Sequence, residues 1–127
     1  MSASALVEAK NYTTGAVEEE VLAGVDTIPA GTTKPKAVAD GVAPTGYDSV
    51  LVSVACTRSS SVWLYIAKDG KQIYPNGLAT AGLGGLDDET LILKPLKEGE
   101  KWEVGFTNTS TSDVEVGWRI RFRHFKK

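Results

Sequence analysis

The chain has 127 residues, 42% of them hydrophobic and 24% charged, with a formal net charge of −2. That length and composition describe one folded domain with a core of useful size, and they exclude a disordered chain and a dedicated, strongly basic nucleic-acid binder. The single cysteine, Cys56, excludes an internal disulfide.

The first residues, Met1 to Glu8, lack the basic stretch and the long apolar run of an export signal, and nothing in the chain approaches the roughly 20 apolar residues that cross a bilayer. The expectation is synthesis in a cytoplasm, no self-directed export and no membrane partner. Residues 1 to 48 hold three Lys/Arg against seven Asp/Glu, whereas residues 49 to 127 hold eleven against nine, so the two parts attract. Asn11-Tyr12-Thr13 and Asn108-Thr109-Ser110 match the glycosylation sequon, but without an export signal they read as turn and strand-end chemistry.

Ala16 to Ala23 is too short between Gly15 and Gly24 for a good helix, and the alternation of Val17, Glu19, Val21 with Glu18, Glu20, Leu22 fits a strand. Asp26 to Pro35 carries Pro29, Gly31 and Pro35, which forbid a helix or a central strand and predict an extended edge segment or loop. Tyr47 to Thr57 predicts a strand with Val50, Val52, Val54 and Cys56 facing inward, so Cys56 is expected to be a small buried hydrophobe rather than a nucleophile. His124, the one histidine, has nothing in sequence that sets it beside Cys56, and a Cys/His catalytic pair is not expected.

Ser61 to Lys68 is the next strand, with Val62, Leu64 and Ile66 opposed to Trp63, Tyr65 and Ala67. Asp69-Gly70 then suits a two-residue hairpin turn with positive φ, returning through Lys71 to Tyr74. Trp63, Tyr65 and Tyr74 are expected to pack on the second face of a sheet, the alternative being an exposed strip on which sugar rings stack.

Pro75 to Asp88 is a loop with four glycines and three leucines, Leu78, Leu83 and Leu86. It lacks the Lys-Ser/Thr of a phosphate-binding loop and the third glycine of a dinucleotide fingerprint, so no nucleotide and no other cofactor is expected. The leucines either fold back over the end of the sandwich or dock on a partner subunit. Asp87-Asp88-Glu89 matches no calcium loop and reads as a solvated acidic turn, so no metal is expected. Glu89 to Leu93 is a strand ended by Pro95.

The last 27 residues read as one long hairpin with a two-face code. Trp102, Val104 and Phe106 alternate with Lys101, Glu103 and Gly105; after a polar turn, Val114, Val116, Trp118, Ile120 and Phe122 alternate with Glu115, Gly117, Arg119, Arg121 and Arg123. Three like charges at i, i+2 and i+4 need solvent or acidic partners. Glu18 and Glu20 share that spacing, so a strand from the N-terminal part beside the last strand predicts an ion-pair ladder, within the chain or across a subunit boundary.

Together these elements predict an all-β fold: an antiparallel β-sandwich of about seven or eight strands with jelly-roll or Greek-key connections. Residues 1–46 form an extended N-terminal arm and edge strand, and residues 47–127 the body of a single domain. With no convergent catalytic set, a non-enzymatic structural or interaction protein is expected, the alternative being a carbohydrate- or receptor-binding module.

Pro95 to Val104, followed by the strand from Val114 to Phe125, resembles the closing hairpins of small β-sandwich virion proteins, most of all capsid decoration proteins of tailed phages. Ile28-Pro29-Ala30-Gly31-Thr32-Thr33 is similar to phrases in phage virion and tail proteins. The resemblance implies a homo-oligomer, often a trimer, on the capsid surface of a bacteriophage virion, bound to the major capsid protein or other assembly subunits. The arm would then dock, with residues 2 to 14 required for binding, and the glycine loop would supply a second contact.

Overall fold

The computed structural model describes residues 17–73 and 77–127. Among them lie nine strands: β1 (Val17–Ile28), β2 (Thr32–Val42), β3 (Tyr47–Cys56), β4 (Val62–Lys68), β5 (Lys71–Gln72), β6 (Leu78–Ala79), β7 (Thr90–Leu96), β8 (Lys101–Asn108) and β9 (Val114–Lys126). Among the described residues helix is confined to one 3-10 turn, Thr80–Gly82.

Two antiparallel sheets stack, one in the order β1-β9-β3-β7 and the other β2-β8-β4-β5, with β6 also pairing β4. The pairings β4·β5, β3·β7, β2·β8 and β1·β9 are those of a single long hairpin rolled up around its tip. This is the jelly-roll order. The tip is Asp69-Gly70, whose φ values of 50° and 81° are what a two-residue primed turn needs.

The core forms where the inward sides of the two sheets meet. Val116, Trp118, Ile120 and Phe122 of β9 face Trp102, Val104 and Phe106 of β8 and Val62, Leu64 and Ile66 of β4. Trp102 and Phe122 touch across the sheets with ring centroids 4.7 Å apart. The two-face code of β8 and β9 is therefore real, but the strands belong to opposite sheets and do not pair as a hairpin. An amphipathic strand fixes only which side is apolar. The turn from Thr109 to Asp113 carries the chain over the end of the sandwich and leaves the two apolar sides face to face.

Edge positions explain the prolines. Pro35 interrupts the β2 ladder between Thr32 and Lys36, and Pro95 pairs with Val50 inside β7, which continues to Leu96 instead of ending there. Both strands lie at sheet edges, where a missing N–H on the outer side costs little. The expected inward run of Val50, Val52 and Val54 is corrected too: a register shift between Leu51 and Ser53 changes the parity of β3. Leu51 and then Val54 and Cys56 enter the core, while Val50 and Val52 stay half-buried.

Two tryptophans secure the edge strands β1 and β2. Trp118 lies opposite Gly24 and Trp102 opposite Gly41. A Cβ on Gly24 would come 2.7 Å from the Trp118 ring, and one on Gly41 would come 2.9 Å from the Trp102 ring. Each indole thus packs over a half-buried glycine backbone, a device that restores the packing glycine lacks in a strand. The Trp118 indole N–H donates to Asp26 at 2.8 Å, which satisfies its one polar group.

Candidate functional site

The outer side of the β1-β9-β3-β7 sheet carries the arginine row. Arg119, Arg121 and Arg123 point away from the core on β9, as their alternation with Trp118, Ile120 and Phe122 requires. β1 does lie beside β9, but the expected partners Glu18 and Glu20 are corrected. Directly opposed residues of an antiparallel pair share a side, and Arg123 opposes Glu19, whereas Glu18 opposes His124 and Glu20 opposes Phe122.

Each arginine has its own ligand. Arg123 donates to Glu19 at 2.6 Å, Arg121 to Glu89 at 2.8 Å, and Arg119 to the backbone carbonyl of Leu86 at 3.0 Å. Glu89 also accepts the hydroxyl of buried Ser53. The row is therefore neutralised largely within the chain. Apolar side chains flank it: Val25 is 65% exposed on β1, Leu91 and Leu93 are 62% and 58% exposed on β7, and Phe125 is exposed at the end of β9. Leu93 has φ of 53°, in the left-handed region, next to the register shift of the β3–β7 pair. A leucine held there costs backbone energy.

The three loop leucines separate. Leu78 and Leu83 fold back against the core. Leu86 remains 40% exposed, its side chain over Gly117 at the margin of the arginine face.

A second arrangement, missed from the sequence, closes one end of the sandwich. Glu18 and Glu20 turn inward there with Tyr47, Ser49 and His124 around a cavity of about 220 Å³ floored by Trp102 and Phe122. The Ser49 Oγ lies 2.7 Å from His124 Nδ1, and His124 Nε2 lies 2.9 Å from Glu20. An ionised Glu20 only accepts, which assigns the proton to Nε2 and leaves Nδ1 of a neutral ring to accept from Ser49. The Tyr47 hydroxyl donates to Glu18 at 2.8 Å, and that bond raises the tyrosine pKa. Serine, histidine and carboxylate in series also build nucleophilic sites. Here all three side chains are buried, and each satisfies the next, as buried polar groups must be. The signal was in the pattern: His124 continues the inward phase of Trp118, Ile120 and Phe122, so it needs polar company inside.

The outer side of the other sheet holds Trp63 and Tyr65. They do not pack into a second core; Trp63 is 38% exposed and both line an open groove. Tyr74 lies outside the described residues, as do residues 1–16, about a third of the expected arm, and the Asn11 sequon; the rest of that expected arm is corrected to β1 and β2, one in each sheet, with Leu22, Ile28 and Ala43 in the common core. Asn108 of the other sequon is fully buried, so its amide is structural. Cys56 is buried as expected, and burial pushes its thiol up to about 11. Among the described residues no cluster of three or more His, Cys, Asp or Glu is placed to hold a metal ion, and no helix is long and apolar enough to cross a membrane.

No protein-family model matches the chain, and no curated protein matches its sequence. Among solved structures, Aeromonas hydrophila PliG, described as a periplasmic lysozyme inhibitor of g-type lysozyme, aligns over 90% of this chain and 91% of its own. The identity is 17% and the TM-score 0.42.

Proposed function

We propose that the protein is a non-enzymatic structural and interaction protein: a capsid decoration protein that binds an assembled coat-protein shell as a homo-oligomer on the virion surface. The observation that carries this reading is the outer side of the β1-β9-β3-β7 sheet. Isolated exposed apolar residues are ordinary on a monomer, but a face that sets Val25, Leu91, Leu93 and Phe125 around an arginine row has the composition of a docking surface. Guanidiniums already held by Glu19, Glu89 and Leu86 are pre-positioned, so little side-chain entropy is lost on contact. The jelly roll occurs in viral capsid domains, which agrees with the reading at the level of fold only.

The test is co-sedimentation with shell particles purified from the biological source of the chain. The protein pellets with the particles, and Leu91→Asp combined with Leu93→Asp abolishes pelleting while leaving the melting temperature near that of the parent. A protein that stays in the supernatant, or a double variant that pellets as well as the parent, refutes the assignment.

A further inference from the structure

We infer that the groove on the outer side of the β2-β8-β4-β5 sheet is a binding site for a neutral oligosaccharide. It is independent of the arginine face, which lies on the opposite side of the molecule. Its volume is about 410 Å³, and its lining includes Trp63, Tyr65, Gln72, Thr33, Thr107 and Thr109. None of its lining side chains is charged at neutral pH, in a chain whose other hollows hold three glutamates, or Asp40, Lys101 and Glu103, or three lysines.

The strand register explains the shape. Trp63 and Tyr65 are two residues apart on β4, so their rings rise from the same side of the sheet about 7 Å apart along the strand. Thr107 stands opposite Trp63 on β8, while Gly105, with no side chain, stands opposite Tyr65 and leaves that ring open. Gly105 is held to glycine by the neighbouring edge strand, because a Cβ there would come 2.5 Å from the Lys36 carbonyl oxygen. The open side of the Tyr65 ring is thus built into the β2–β8 contact.

The chemistry selects the ligand class. Exposed aromatic rings offer apolar faces to the C–H faces of a pyranose, and amide and hydroxyl groups exchange hydrogen bonds with its hydroxyls. The Gln72 amide, the Thr107 hydroxyl and the Tyr65 hydroxyl line the groove and have no hydrogen-bond partner among the described residues. A nucleic acid would also stack on the rings, but the groove supplies no cation for its phosphates. A uronic-acid polymer or sulfated glycan likewise finds no counter-charge.

The experiment is a glycan array followed by titration of intrinsic fluorescence with cellohexaose, mannohexaose and chitohexaose, using polygalacturonate and oligouridylate as charged controls. Trp102 and Trp118 are buried, so a ligand-induced blue shift reports on Trp63. We expect saturable binding of a neutral glycan and neither control; isothermal titration calorimetry, which needs no fluorophore at position 63, should show Trp63→Ala weakening it about tenfold or more, equivalent to at least ~1.4 kcal/mol. Gln72→Ala, at an exposed position, is expected to weaken binding several-fold with unchanged thermal stability, which keeps the test decisive if the tryptophan variant misfolds. Absence of any neutral-glycan signal, equal or tighter binding of a charged control, or parental affinity in the variants overturns the inference.

Discussion

Replacing Asn108 by alanine tests how the jelly roll closes at the end where β8 gives way to β9. Asn108 is fully buried and uses all four of its hydrogen-bonding positions. Its amide nitrogen donates to the carbonyls of Ile28 and Ser112, each at 2.9 Å, and its carbonyl oxygen accepts from the Ser110 N–H at 3.0 Å and the Ser110 hydroxyl at 2.8 Å. One side chain therefore ties the end of β1 to the turn that leads from one sheet to the other. Alanine removes four bonds at about 1 kcal/mol each, but the cost is uneven. The Ile28 residue is fully buried, so its orphaned carbonyl bears the full desolvation penalty, whereas Ser112 is exposed and its carbonyl regains water. The expected loss is about 3–4 kcal/mol. With an unfolding entropy near 2.1 cal/mol/K per residue, that lowers the melting temperature by about 11–15 °C. Asn108→Asp is expected to cost at least as much, because its carboxylate faces two carbonyl oxygens. Urea denaturation and thermal melts measure both. A loss below about 1 kcal/mol for the alanine variant would show that water replaces the amide and that the turn does not depend on it.

Gly105→Ala is expected to cost about 2–3 kcal/mol in urea denaturation, because the new Cβ meets the Lys36 carbonyl at 2.5 Å and two strands must part; a change under about 0.5 kcal/mol would contradict that contact. Neighbouring glutamates should behave unlike each other. Glu19→Lys breaks an exposed pair with Arg123 and should cost under about 1 kcal/mol, less in high salt, whereas Glu20→Lys places a cation against buried His124 and should cost more than about 3 kcal/mol; equal losses would refute the assigned register. Cys56, with its thiol raised to about 11 by burial, stays protonated at pH 8, so Ellman's reagent should label it only after unfolding, and prompt labelling of the native protein would contradict its burial. The Gly46 N–H and the Lys127 ammonium hold the Glu98 carboxyl below its ordinary pKa. A folded-state pKa below the unfolded value of about 4.3 contributes stability above that pH and loses it as pH falls through the lowered value. Glu98→Gln should therefore flatten the acid limb of the stability curve there, and an unchanged limb would rule out this linkage.

What could be read from the sequence follows from what alternation encodes. The apolar phases of β4, β8 and β9 were legible because every second residue of a half-buried strand must be apolar. So was the Asp69-Gly70 turn, because few residue pairs accept positive φ twice in succession. Alternation is silent about the partner of a strand, and this hid the placing of β8 and β9 in opposite sheets. It is equally blind to a bulge, which diverted Val50 and Val52 from the core. The glutamate run shows the limit most sharply: Glu18, Glu19 and Glu20 straddle both sides of β1, and only the register with β9 reveals that Glu19 meets an arginine while Glu20 meets His124. Trp63 and Tyr65 were legible as a pair, but whether anything covered them depended on which side of the sheet remained outside.

The rolled hairpin also dictates an order of assembly. β4 and β5 are separated by two residues, β3 and β7 by a few tens, and β1 must wait for β9 at the far end of the described chain. Closing a longer loop costs more entropy, so pairing proceeds from Asp69-Gly70 outward, and the β1–β9 edge is sealed last. During synthesis β1 emerges long before its neighbour β9 exists. A ribosome stalled before residue 114 would therefore present a chain with β1 and β3 made and the strand that joins them still missing.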